Sequence, residues 1–86
     1  MRERSSYEDF QHELREACDF LHAFSQGHRG FTQRDGMAGI RRVTGLCEQM
    51  EASFASGPNA QGAKTAIASA REHIAEAKAR LALLRA

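Results

Sequence analysis

Two cysteines and two of the four histidines have the spacing for metal chemistry. Cys18 and His22 are four residues apart, which puts two side chains on one side of a helix. In an antiparallel helical arrangement Cys47 and His73 fall at about the same height as that pair. Two thiolates and two imidazoles complete a tetrahedral set for zinc, so Cys18, His22, Cys47 and His73 are the metal candidates. Direction counts against them. His22 lies off the apolar stripe of its own segment, whereas Cys47 lies within its stripe, where a free cysteine packs as a small hydrophobe. No metal and no cofactor is therefore expected.

Other chemistries fail on their partners. Cys18 is the one thiol near a histidine, but Glu16 and Asp19 beside it raise a thiol's pKa. Glu13 and Glu16 form a carboxylate pair on a face expected to be wet, with no cleft to hold a substrate. Gly57-Pro58-Asn59-Ala60-Gln61-Gly62-Ala63-Lys64-Thr65 approaches a phosphate-binding loop, yet Ala63 separates Gly62 from Lys64 and no strand precedes it. Thr32 to Ala38 lacks the tight turn of a DNA-reading helix pair. His22 lacks the nearby lysine of a phosphotransfer histidine. The chain is expected to be non-catalytic.

The charges are unevenly placed. Between Tyr7 and Phe24 the acids Glu8, Asp9, Glu13, Glu16 and Asp19 face Arg15 alone. Between Gly27 and Gly45 the order reverses, with Arg29, Arg34, Arg41 and Arg42 against Asp35. In one reading the basic flanks of one helix meet the acidic flanks of another and set their register. In a second reading the cluster of Arg29, Arg34, Arg41 and Arg42, with His28, holds phosphate or an acidic protein surface. Only Phe31 is placed to stack a base beside it.

Three helices are needed to position these groups. Tyr7, Phe10, Leu14, Ala17, Leu21 and Phe24 recur in steps of three and four, predicting a helix over 6–26 that stops at Gly27. Ser5 with Glu8, or Ser6 with Asp9, has capping-box spacing. Ile40, Val43, Cys47, Met50 and Phe54, with Leu46 beside them, predict a second helix over 36–55, with Thr32 or Asp35 as its cap. Gly39 and Gly45 inside it are either a plain cost or a place of close approach. Pro58 and Asn59 open a third helix over 59–85. Its stripe runs through Ala60, Ala63, Ile67, Ala70, Ile74, Ala77, Leu81 and Leu84. A second row of Ala68, Ala75, Ala79 and Ala82 lies elsewhere on that helix, and Leu83 falls outside the main stripe.

The expected fold is all-α: one domain, an antiparallel three-helix bundle made of a helical hairpin and a long third helix. Its thin core is of the kind that homodimerisation completes. The expected core is Tyr7, Phe10, Leu14, Leu21, Phe24, Ile40, Val43, Cys47, Met50, Phe54, Ile67, Ile74, Leu81 and Leu84. Eighty-six residues leave no room for a second core. At 42% hydrophobic and 27% charged, with mean hydropathy −0.53, the chain fits neither a disordered nor a membrane-spanning class. A net charge of +1 gives no bulk attraction to nucleic acid or anionic lipid. The absence of a secretory h-region and the two unstapled cysteines point to the cytoplasm. Composition rich in Arg, Ala and Gly suggests a bacterial or phage genome. The function expected is a regulatory protein–protein interaction module of adaptor, chaperone or inhibitor type. It would bind its partner through a helix face using Leu83 and the arginines Arg29, Arg34, Arg41 and Arg42. Binding of nucleic-acid or phosphate backbone by those arginines is the alternative.

Overall fold

A computed structural model describes residues 7–28 and 30–85, except for the side chain of Arg85. Ser5, Ser6 and Arg29, and with them the expected start cap of the first helix, lie outside those residues. Three α-helices follow in order: α1 (Tyr7–Ser25), α2 (Gln33–Ser53) and α3 (Ala60–Arg85).

Helix α1 ends as its glycine predicts. Gly27 takes φ +78°, a left-handed backbone that L side chains rarely adopt. This turns the chain so that Gly27 N–H reaches the Phe24 carbonyl at 3.1 Å and His28 N–H reaches that of Ala23 at 3.3 Å. Two carbonyls left over at the helix end are satisfied in this way.

Helix α2 begins three residues earlier than its apolar stripe suggests. Thr32 is the N-cap: its hydroxyl accepts from Asp35 N–H at 3.1 Å, and the Asp35 carboxylate accepts from Thr32 N–H at 2.9 Å. This reciprocal box satisfies two otherwise orphaned donors. It carries the helix through Gly36, which the expected boundary treated as the edge of a loop.

The connections leave the helices up, down and up. Phe54, just past α2, packs edge-on against Tyr7 and Phe10 at the start of α1, with centroids 5.2 and 5.6 Å apart. At the other end Gln33 Nε2, at the start of α2, donates to the Leu84 carbonyl at the end of α3, 3.3 Å away. Helices α1 and α3 therefore run parallel, with α2 antiparallel to both. Arg71 of α3 pairs with Glu51 of α2 at 3.3 Å, an exposed bridge of the register-setting kind worth at most about 1 kcal/mol.

The three stripes close on one another in a single core. Leu14, Ala17, Leu21 and Phe24 of α1 meet Val43, Leu46, Cys47 and Met50 of α2 and Ala63, Ile67, Ala70, Ala77 and Leu81 of α3. Tyr7, Phe10, Ile40, Phe54 and Ile74 are half-buried around it. Leu84, expected inside, is instead 40% exposed: it lies in the last turn of α3, past the buried Leu81, where the polar Gln33 of α2 reaches it. The Ala68, Ala75, Ala79 and Ala82 row is exposed.

Close packing of α1 on α2 uses two glycines. Gly36 and Gly39 are both buried. A Cβ at Gly36 would collide with the ring of Phe24, and one at Gly39 would lie 2.8 Å from Leu21 Cδ2. Gly39 is thus a place of close approach by side chains, whereas nothing lies within 4 Å of a Cβ at Gly45, which is a plain cost to the helix.

Candidate functional site

The molecule measures 44 × 26 × 15 Å. So thin a slab carries open grooves on its faces among the described residues. Two places on it gather groups with chemistry.

The first is the end where α1 stops, α2 starts and α3 stops. Met37, Leu83 and Leu84 are the exposed large apolar side chains among the described residues, at 52, 70 and 40%. All three belong to this end. Met37 is one turn from Gln33, whose amide touches Leu84. Arg34 precedes Met37 by three residues and Arg41 follows it by four, so both flank it on the outer surface of α2. Arg42 is exposed on the adjoining face. The guanidinium of Arg80 lies over Gly27, 2.9 Å from where a Cβ would stand.

This end holds more base than acid. In the last turns of α1 and α3 and the first turns of α2, Arg34, Arg41, Lys78 and Arg80 stand against Asp19 and Asp35. The carboxylate of Asp35 is already engaged by Thr32 N–H in the cap. Phe31, the one aromatic placed to stack a base there, is half-buried with its ring edge-on to Phe20 at 5.0 Å.

The second place is the side of the bundle where α1 meets α3. Of the four metal candidates, His22 and His73 come together, their rings edge-on with centroids 5.9 Å apart. The third member of the cluster is Glu76, not a cysteine. His22, His73 and Glu76 each bring one ligand atom within 4.8 Å of the other two. Glu76 follows His73 by three residues, so the two share a face of α3. That His-x-x-Glu spacing is visible in the sequence, but only the fold brings His22 to it.

The sulfurs stay out of this cluster. Cys18 and Cys47 are free thiols. Burial pushes the Cys18 thiol up to about 11, helped by the nearby Cys47 and Asp19. Burial also raises Cys47, with Arg71 pulling the other way. Neither thiol is poised for nucleophilic attack at neutral pH. Cys18 and His73 both line an open groove of about 470 Å³ between α1 and α3, together with Gln11, Arg15 and Ser69.

No helix is long and apolar enough to cross a membrane among the described residues. In comparison with known proteins, no family, no curated protein and no solved structure matches this chain.

Proposed function

We propose that the chain is a non-catalytic interaction module that docks a protein partner on the Met37–Leu83–Leu84 end of the bundle. The observation that carries this reading is the gathering of the large exposed apolar side chains at one end, inside a frame of arginines. Exposed large apolar side chains grouped with arginines are what a contact site presents, whereas such side chains scattered singly are ordinary.

The partner that fits is an apolar helix or loop with acidic flanks. Leu83 and Met37 supply the desolvated centre, and Arg34, Arg41 and Arg80 choose the sign of what lies around it. A second copy docked on the same end would set arginine against arginine. The heptad-spaced stripes that suggested a homodimer already close within one chain. The exposed Ala68, Ala75, Ala79 and Ala82 row buries little area per residue. The partner is therefore a different, more acidic protein, and the chain acts on it as an adaptor, chaperone or inhibitor in the bacterial or phage cytoplasm.

A displayed-peptide selection tests this. Peptides enriched on the wild-type chain are expected to combine apolar and acidic residues. They should hold at 0.5 M salt and lose binding to Leu83→Glu and Met37→Glu. No enrichment, or peptides indifferent to both variants, overturns the reading. A labelled single-stranded oligonucleotide is the second probe. Binding that falls steeply with salt and vanishes in the Arg34→Glu, Arg41→Glu double variant replaces the protein partner with a nucleic acid.

A further inference from the structure

We propose that His22, His73 and Glu76 bind one divalent transition-metal ion of zinc type, tying the end of α1 to the middle of α3. The three donors are two imidazoles and a carboxylate, a set that zinc accepts with one position left for water. Their ligand atoms already lie within 4.8 Å of one another.

The environment of His73 is a second, independent observation. Its Nδ1 is buried, within a side chain that is 29% exposed, and has no hydrogen-bond partner among the described residues. Glu76 Oε1 is 3.7 Å from it, too far for a hydrogen bond. Two ligands of a tetrahedral zinc stand about 3.4 Å apart, given metal–ligand bonds of about 2.0–2.1 Å. The separation is thus too long for direct bonding and close to what a shared ion needs. The exposed His22 completes the set from the neighbouring helix.

Oxygen and imidazole donors with no sulfur distinguish this set from the two-cysteine, two-histidine set that spacing alone suggests. Magnesium and calcium prefer oxygen-only shells, so imidazole donors select zinc and its neighbours cobalt, nickel and copper.

The test titrates Zn²⁺ and Co²⁺ into the reduced full chain by calorimetry and visible absorption. Expected are about one equivalent bound and a cobalt spectrum without the intense thiolate charge-transfer band. Tm should rise by roughly 15 °C at a hundredfold excess of zinc over Kd. His22→Ala and Glu76→Gln alter exposed side chains, so the fold is kept. Each is expected to weaken binding at least tenfold, while His12→Ala and the Cys18→Ser, Cys47→Ser double variant leave it unchanged. Absence of binding to the wild-type chain overturns the site. So does affinity that His22→Ala and Glu76→Gln leave unmoved, or a thiolate band that disappears with the cysteines.

Discussion

Single atoms decide two opposite outcomes along α2. Gly36 has no room for a methyl group, because Phe24 occupies the space. Gly36→Ala is therefore expected to destabilise the bundle by about 1–3 kcal/mol through overpacking. Gly45 faces open space, and Gly45→Ala is expected to stabilise it by up to about 1 kcal/mol through helix propensity. Urea denaturation of both variants reads the two signs. The same letter at two positions thus means a fit in one and a cost in the other. The sequence alone left both meanings open at Gly39 and Gly45 and set Gly36 at the edge of a loop, because it does not show which side of α2 meets Phe24 and Leu21. The thiols make a second prediction at this scale. A folded-state pKa of about 11 for Cys18, against about 9 when unfolded, means that the folded chain holds its proton more tightly. Its contribution to stability is complete below pH 9 and is lost as pH rises towards 11. In denaturation followed across that window, Cys18→Ser is expected to lose less stability than the wild type. Iodoacetamide at pH 8 should alkylate folded Cys18 on the order of tenfold more slowly than an unfolded thiol, since the fall in thiolate fraction outweighs the higher nucleophilicity of a more basic thiolate.

At the scale of the element, the start of α2 rests on two side chains. Thr32→Ala removes the hydroxyl that accepts Asp35 N–H, and the expected cost is about 1 kcal/mol. Amide exchange should quicken first at residues 33–36, where the N–H groups lose their partner. Helix type was legible in the sequence for all three elements, because steps of three and four persist through each. The end of α1 was legible in Gly27. The start of α2 was not, since residues 33–36 carry no stripe of their own and take their helical state from the cap and from Phe24 packed on Gly36. The end proposed for docking was half legible. Leu83 falls outside its stripe and Arg34 and Arg41 stand in a basic run, but Met37 and Leu84 keep core spacing. Only the third dimension shows that both stay exposed at the end of the bundle. Glu76 was missed because a carboxylate three residues after a histidine on a charged helix is ordinary until a second histidine faces it.

For the whole molecule, the closed core predicts a salt-independent solution mass near 9.5 kDa by light scattering. Twice that mass would mean that the alanine row of α3 or the apolar end is spent on a second copy. The arginine frame would then have to be offset by the acids of α1. Which surfaces remain free was beyond reach of periodicity, since a heptad stripe looks the same whether it closes within a chain or between chains.

Because α1 and α3 run parallel and α2 opposes them, the three peptide macrodipoles do not cancel. One helix's worth is left over, roughly half a positive charge at the end holding Tyr7 and half a negative charge at the end holding Leu84. The side chains oppose this field at both poles. Glu8 and Asp9 sit in the first turn of α1, and Arg80 lies beside its last carbonyls. Arginine at the Leu84 pole is therefore partly neutralised by the backbone before any visitor arrives. The acidic partner proposed above would meet a weaker attraction there than the sequence charges suggest, and its specificity would fall correspondingly on shape.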